Sequence, residues 1–325
     1  MSIELPLEIS ETCYEQFFFC RTDKERMMNG RMLLAVQLLL CAASAMLRAD
    51  QHYGPEDAKF TIVVMDPLAG PLACDCVQGY AQRRYEELAK FLTIKTHHSY
   101  RVVWAESLDI AKRNEPNREF DVIIGKDSVI RAQSKALELS LRPLASLTDK
   151  LGETTQKGLF VVTKHSAAAS LIDLEGCEIL FGPKDCDEKN SMPIETLREI
   201  DIAFKHGEIC ETCSVAAKRM LESTKQSTLA AVISSYAAPL LEGCGTIQKG
   251  DLRLVGETKP IAFVSAFVNS NLDKNVARSI EKCLLEMKDD PELLKALESR
   301  DGFVAYPSKN GTAEPKDAGA KKKGL

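Results

Sequence analysis

From residue 60 onward, short apolar runs of strand length alternate with stretches whose apolar positions recur at helical spacing. This is the pattern of an α/β protein, in which buried strands are covered by helices. FTIVVM at 60–65, YRVVW at 100–104 and FDVIIG at 120–125 predict the first three strands. Between them, residues 80–92 place Tyr85, Leu88, Ala89 and Leu92 on one face of a helix. Lys126-Asp127-Ser128 opens the next helix, with Asp127 or Ser128 as its cap. Further strands are predicted at 159–163, 178–182, 229–234, 252–255 and 262–268. Further helices are predicted in a stretch ending at 171–176, from about 189–193, and over 213–221, 275–288 and 291–298. The chain has no internal repeat.

Three segments share one design, a buried strand that runs through a short polar loop into a helix: Ile124-Gly125-Lys126-Asp127-Ser128, Phe181-Gly182-Pro183-Lys184-Asp185 and Ile233-Ser234-Ser235-Tyr236. In open α/β sheets ligands gather at the carboxyl ends of strands, where helix N-termini offer free N–H groups and the positive ends of their dipoles. The pattern points to a small polar or anionic ligand.

The N-terminal region follows different rules. Arg31 precedes sixteen residues without a charge, 32–47, which contain the small-x-small exit Ala43-Ser44-Ala45, with Leu47-Arg48-Ala49 as a poorer second. This reads as a secretory signal, since a spanning helix needs about 20 apolar residues. Met27, Met28 and Met32 are candidate true starts, and Cys41 is a weak lipoprotein site because Leu40 precedes it. At the other end, 308–325 is rich in Gly, Ala, Lys and Pro and closes on Lys321-Lys322-Lys323, a composition that predicts a disordered tail.

Composition narrows the function. Lys and Arg total 42 against 47 Asp and Glu, a formal net charge of -5, and aromatics are 6%, which argues against a nucleic-acid binder. No G-x-S-x-G, Walker A or G-x-G-x-x-G motif is present, and His52, His97, His98, His165 and His206 form no metal-ligand pattern. No nucleophile–base pair stands out, so neither a catalytic residue nor a cofactor is assigned, and the chain reads as a non-enzyme.

The order of these pieces resembles the phosphonate-binding-like branch of the periplasmic substrate-binding proteins of ABC transporters. The matching pieces run from the strand and loop at 60–71, through Tyr85-Glu86-Glu87-Leu88, 120–128, 158–162, 171–176, 181–183 and 230–236, to Pro291-Glu292-Leu293-Leu294 and Gly302-Phe303. The resemblance implies a type II periplasmic binding protein fold, with two Rossmann-like lobes of mixed sheet joined by a two-segment hinge. Residues 50–150 and 257–307 would form lobe 1 and residues 151–256 lobe 2, behind an N-terminal extension and signal at 1–49. The crossovers would fall near 145–158 and 256–264. The implied function is capture of a phosphate- or phosphonate-like solute in the interlobe cleft for delivery to an ABC permease or membrane receptor, by a monomer.

The resemblance also places the site. Its ligand-binding positions would be Tyr80, Lys126, Asp127, Ser128, Thr154, Thr155, Asp187, Lys189, Ser234, Ser235 and Tyr236. The oxyanion loop maps onto 185–190, where Asp185, Asp187 and Glu188 oppose an anion unless they point outward, and an amine-bearing ligand or a metal chelate suits them better.

Eleven cysteines remain to be placed. Removing 1–49 leaves eight, an even number for an oxidising compartment, and predicts structural disulfides: Cys186 with Cys213, and Cys74 or Cys76 with Cys244. The alternative reads Cys74-Asp75-Cys76 and Cys210-Glu211-Thr212-Cys213 as a metal or redox set, in an accessory protein of a periplasmic oxidoreductase. A ligand sensor of the same fold is a third reading.

Overall fold

The computed structural model describes residues 52–73, 82–224 and 228–307. The predicted signal segment, Cys74, Cys76, Tyr80 and the predicted tail lie outside the described residues.

In chain order the strands are β1 (His52–Tyr53), β2 (Phe60–Met65), β3 (Tyr100–Trp104), β4 (Val122–Lys126), β5 (Leu141–Leu147), β6 (Thr155–Gln156) and β7 (Gly158–Thr163). They continue with β8 (Glu178–Leu180), β9 (Lys205–His206), β10 (Leu229–Ser234), β11 (Leu252–Glu257), β12 (Ile261–Ala262), β13 (Val264–Asn269) and β14 (Phe303–Ala305). The α-helices are α1 (Tyr85–Thr96), α2 (Leu108–Asn114), α3 (Asp127–Ala136), α4 (Ser191–Glu199), α5 (Cys213–Glu222), α6 (Ala237–Gly243), α7 (Lys274–Glu286) and α8 (Pro291–Ala296).

Two mixed sheets carry the fold, one ordered β1-β3-β2-β4-β13-β5-β14 and the other β11-β7-β10-β8-β9. In the first, β2 runs parallel to β3 and β4, while β13 is antiparallel to β4 and β5. Central strands are apolar throughout because both faces are covered. In β2 all six residues are buried: Ile62 and Val64 join one core with Leu88 and Leu92 of α1 and Ile280 of α7, and Val63 and Met65 join another with Val129 and Ile130 of α3. Each such side chain contributes about 1.5–3 kcal/mol on burial. The second sheet is likewise packed between two cores, one reaching Ala217 and Met220 of α5 and the other Leu197 of α4.

The chain passes between the sheets twice, and the two passages pair with each other: β6 and β12 form an antiparallel two-stranded ribbon, Ile261 opposite Gln156 and Ala262 opposite Thr155.

Several sequence expectations move. Helix α1 begins at Tyr85, not residue 80, because Arg83 forms a β-bridge with Ala69. The stretch ending at 171–176 is a 3-10 turn, Leu171–Leu174, closed by a Ser170–Asp173 capping box. Neither Asp127 nor Ser128 caps α3: the N-cap position is Lys126 and no side chain caps it.

The predicted Cys186–Cys213 disulfide does not form, and the Cys74 or Cys76 half of the second predicted pairing lies outside the described residues. Cys177, Cys186, Cys210, Cys213, Cys244 and Cys283 all carry free thiols. Cys186 Sγ accepts a long hydrogen bond from Lys126 Nζ at 3.6 Å, whereas Cys213 Sγ accepts one from the Ser234 N–H at 3.4 Å, so each sulfur has its own polar partner. Cys244 is exposed beside Thr246 Oγ1 at 3.1 Å.

Candidate functional site

Between the sheets lies a cavity of about 450 Å³. Its walls come from the carboxyl ends of strands in both sheets: Met65 and Leu68 at β2, Glu106 and Ser107 after β3, Lys126 at β4, Pro183 and Asp185 after β8, and Tyr236 after β10. Ile110, Val129, Leu240 and Leu241 make much of the surface apolar.

Buried bonds fix the loops that form it. After β2, the Asp66 carboxylate accepts from Arg83 Nη1 at 2.9 Å, Tyr85 Oη at 2.6 Å and the Leu68 N–H at 3.0 Å, and all three side chains of the cluster are buried. The Arg83 guanidinium also faces the Phe263 ring at 5.6 Å. Phe263 in turn stacks on Tyr236 at 4.8 Å, so one chain of contacts runs from the first sheet's loop to the second's.

The strongest link across the cleft is ionic. Lys126, the last residue of β4, meets Glu188 in a 3-10 turn (Asp187–Lys189) of the second sheet's loop. Glu188 is fully buried and Lys126 nearly so, and Ser234 Oγ at the end of β10 donates to the same carboxylate oxygen at 2.7 Å. The other oxygen, Oε2, is buried with no hydrogen-bond partner. Burial pushes the Glu188 carboxyl up, but the Lys126 ammonium beside it more than reverses this and leaves it below the ordinary range. Burial likewise pulls the Lys126 ammonium down, and Glu188 overrides it, so both groups are charged. Gly158, at the start of β7, makes this approach possible: any Cβ there would run into the Glu188 carbonyl.

Two further bonds cross the cleft. The Asp187 N–H donates to Ser128 Oγ at 3.3 Å, and Gln133 Nε2 donates to Asp185 Oδ2 at 2.8 Å while Gln133 Oε1 accepts from the Leu108 N–H that starts α2.

Of the residues expected at the site, Lys126, Lys189 and Tyr236 line this cavity. Lys189 Nζ donates to the Glu211 carbonyl at 3.1 Å. The Tyr236 ring lies 5.8 Å from Lys126 Nζ, and burial pushes its hydroxyl well up. Ser234 is buried behind the wall, on Glu188. Ser128 and Asp187 serve the cleft through their mutual bond, and Asp187 also accepts from Ser191 Oγ at 2.8 Å.

Asp127 is turned to its own helix and the C-terminal segment, accepting from Arg131 Nε at 2.6 Å and Tyr306 Oη at 2.9 Å. Thr155 and Ser235 line a neighbouring cavity of about 650 Å³ on the hinge side, which shares Leu68, Tyr236 and Leu240 with the first. Thr154 lines neither and accepts the Phe263 N–H on its carbonyl.

Sequence reasoning passed over Gln133 and Glu106, which carry no motif, and read Glu211 only as part of the Cys210–Cys213 pair. It also read Glu188 as an acid that would oppose an anion unless it pointed outward; the side chain points inward, onto Lys126. The remaining signal was its place beside Lys189 in a loop after a buried strand. As for the cysteine set, among the described residues no three His, Cys, Asp or Glu side chains converge as metal ligands.

Comparison with known proteins agrees with this architecture. No match is found among curated protein sequences. Among solved structures, the fold is similar to a binding protein component of an ABC phosphonate transporter from Pseudomonas aeruginosa, with TM-score 0.58, 13% identity, and 76% of this chain and 81% of that one covered. PhnD1 from Prochlorococcus marinus, in complex with methylphosphonate, gives TM-score 0.57 at 12% identity over 77% and 93% of the two chains. A Xanthomonas citri protein bound to ATP gives 0.58 at 15% over 76% and 91%. These likenesses establish a type II periplasmic binding protein fold. The model of one family, described as ABC transporter, phosphonate, periplasmic substrate-binding protein, matches residues 78–309. The chain therefore belongs to the phosphonate ABC-transporter family of periplasmic substrate-binding proteins.

Proposed function

We propose that this chain is exported through its 27–49 signal and captures a small solute in the cleft between its sheets, handing it to an ABC permease. The observation that carries this reading is the 450 Å³ cavity, walled by strand ends of both sheets. A solute there touches both halves at once, so its binding energy favours the closed arrangement over the open one. The wall chemistry supports a solute with an apolar body and a polar end. Met65, Leu68, Ile110, Val129 and Leu240 face the body. The polar rim holds Glu106, Asp185 and Glu211 beside Lys126 and Lys189. A phosphonate-like solute, as the family description suggests, would rely on the two lysines.

The experiment is a thermal-shift screen of the purified protein against phosphate, alkylphosphonates, sulfonates, amines and amino acids. A solute at 100 times its Kd stabilises by about 2.7 kcal/mol. For a protein of this size that is a shift of about 4–5 °C. If no solute in a broad library shifts the melt, and small-angle scattering shows no compaction, the reading fails.

A further inference from the structure

Granting that the cleft is the solute site, we propose that Glu188 is a resident carboxylate occupying the position an oxyanion ligand would need. It would turn the cleft away from phosphonate dianions and toward uncharged or amine-bearing solutes. Lys126 Nζ from the end of β4 and Ser234 Oγ from the end of β10 both donate to the same Glu188 oxygen. An ammonium from one sheet and a hydroxyl from the other form a donor set suited to a phosphonate oxygen, and here the protein's own side chain has taken it.

Of the nearby cations, Lys189 is also partly engaged, its ammonium donating to the Glu211 carbonyl. Glu188 is held in place from its backbone, since its carbonyl lies against Gly158 where any side chain would collide. A dianion entering the cavity would find the Lys126 ammonium already neutralised by the buried Glu188 behind the wall, and would meet Glu106, Asp185 and Glu211 at the walls.

The test uses methylphosphonate and inorganic phosphate as probes, with binding measured by calorimetry on the full protein. Glu188→Ala removes both charge and volume, and Glu188→Gln removes the charge while keeping the volume, so a folded variant is available if the smaller side chain leaves the protein unstable. Methylphosphonate is expected to bind Glu188→Ala at least about tenfold more tightly than wild type, with a smaller gain in Glu188→Gln. Adding Lys126→Met to Glu188→Ala is expected to abolish the gain. Wild type binding methylphosphonate as tightly as Glu188→Ala, or a folded Glu188→Ala that takes neither probe, would overturn the proposal. In the first of these cases solute binding itself stands. That broader reading falls only with a wild-type protein that responds to no solute at all.

Discussion

Replacing Lys126 with methionine should produce the largest single effect in the cleft, and its size follows from burial. Lys126 is the ammonium that compensates a fully buried Glu188, whose remaining support is one hydroxyl, Ser234 Oγ. Breaking a buried ion pair from one side leaves an uncompensated charge and costs about 3–5 kcal/mol, a factor of about a thousand in the folded-to-unfolded ratio. At about 1.5 °C per kcal/mol for a chain of this size, Lys126→Met should melt about 5–8 °C below wild type. The double variant Lys126→Met/Glu188→Met puts two apolar side chains where the pair stood and should return to within about 2 kcal/mol of wild type. Calorimetric melts of the four proteins complete the cycle.

Acid adds a second readout. In wild type the Glu188 pKa lies below its ordinary 4.5, so its stabilisation is full above that value and drains away as pH falls through the lower folded one. In Lys126→Met only the Ser234 hydroxyl and the Lys189 charge still oppose burial and the folded pKa rises, so the variant's deficit should shrink on acidification, while wild type loses stability. A Lys126→Met protein melting within 2 °C of wild type at neutral pH would refute the description of a desolvated pair.

Other perturbations test the frame around the site. Tyr85→Phe removes a 2.6 Å hydrogen bond to the buried Asp66 carboxylate and should cost about 1.5–3 kcal/mol in urea unfolding, against near neutrality if the hydroxyl were free in solvent. Gly158→Ala drives a methyl into the Glu188 carbonyl and should destabilise by about 1–3 kcal/mol, and an unchanged melt would show that the two segments do not meet. In brief maleimide labelling followed by peptide mapping, exposed Cys244 should react first, with buried Cys186 and Cys213 protected until the protein is denatured. Equal labelling of all three would contradict their placement.

The strands that sequence reading located best are those buried on both faces. FTIVVM at β2 and LAAVIS at β10 stand out because covering helices leave every position along them buried. Strand β5, LRPLASL, was illegible because Pro143 marks it as a loop, yet the proline sits at a register irregularity opposite Phe267, one of the few places a strand tolerates it. Helix α6 was hidden in the same way by Pro239, which lies in its first turn, where no hydrogen bond is lost.

In the site, Lys126 and Tyr236 were readable from the strand–loop–helix rule. Glu188 was not, because its role depends on a partner 62 positions away and on which way a loop turns its side chain. The even cysteine count misled for a related reason: parity gives no distances, and Cys186 and Cys213 had each settled against a different polar neighbour.

The ribbon of β6 and β12 also has a mechanical meaning. Two independent tethers would let the halves slide, hinge or rotate past one another. With Ile261 held opposite Gln156 and Ala262 opposite Thr155, sliding by one position would break every pair in the ribbon and turn its side chains to the wrong face. Twisting and bending about the ribbon are then the soft coordinates. Under the proposed capture of a solute by closure, opening would carry Lys126 and Glu188 apart along an arc with a fixed pivot, and each closing stroke would return the ammonium to the same carboxylate.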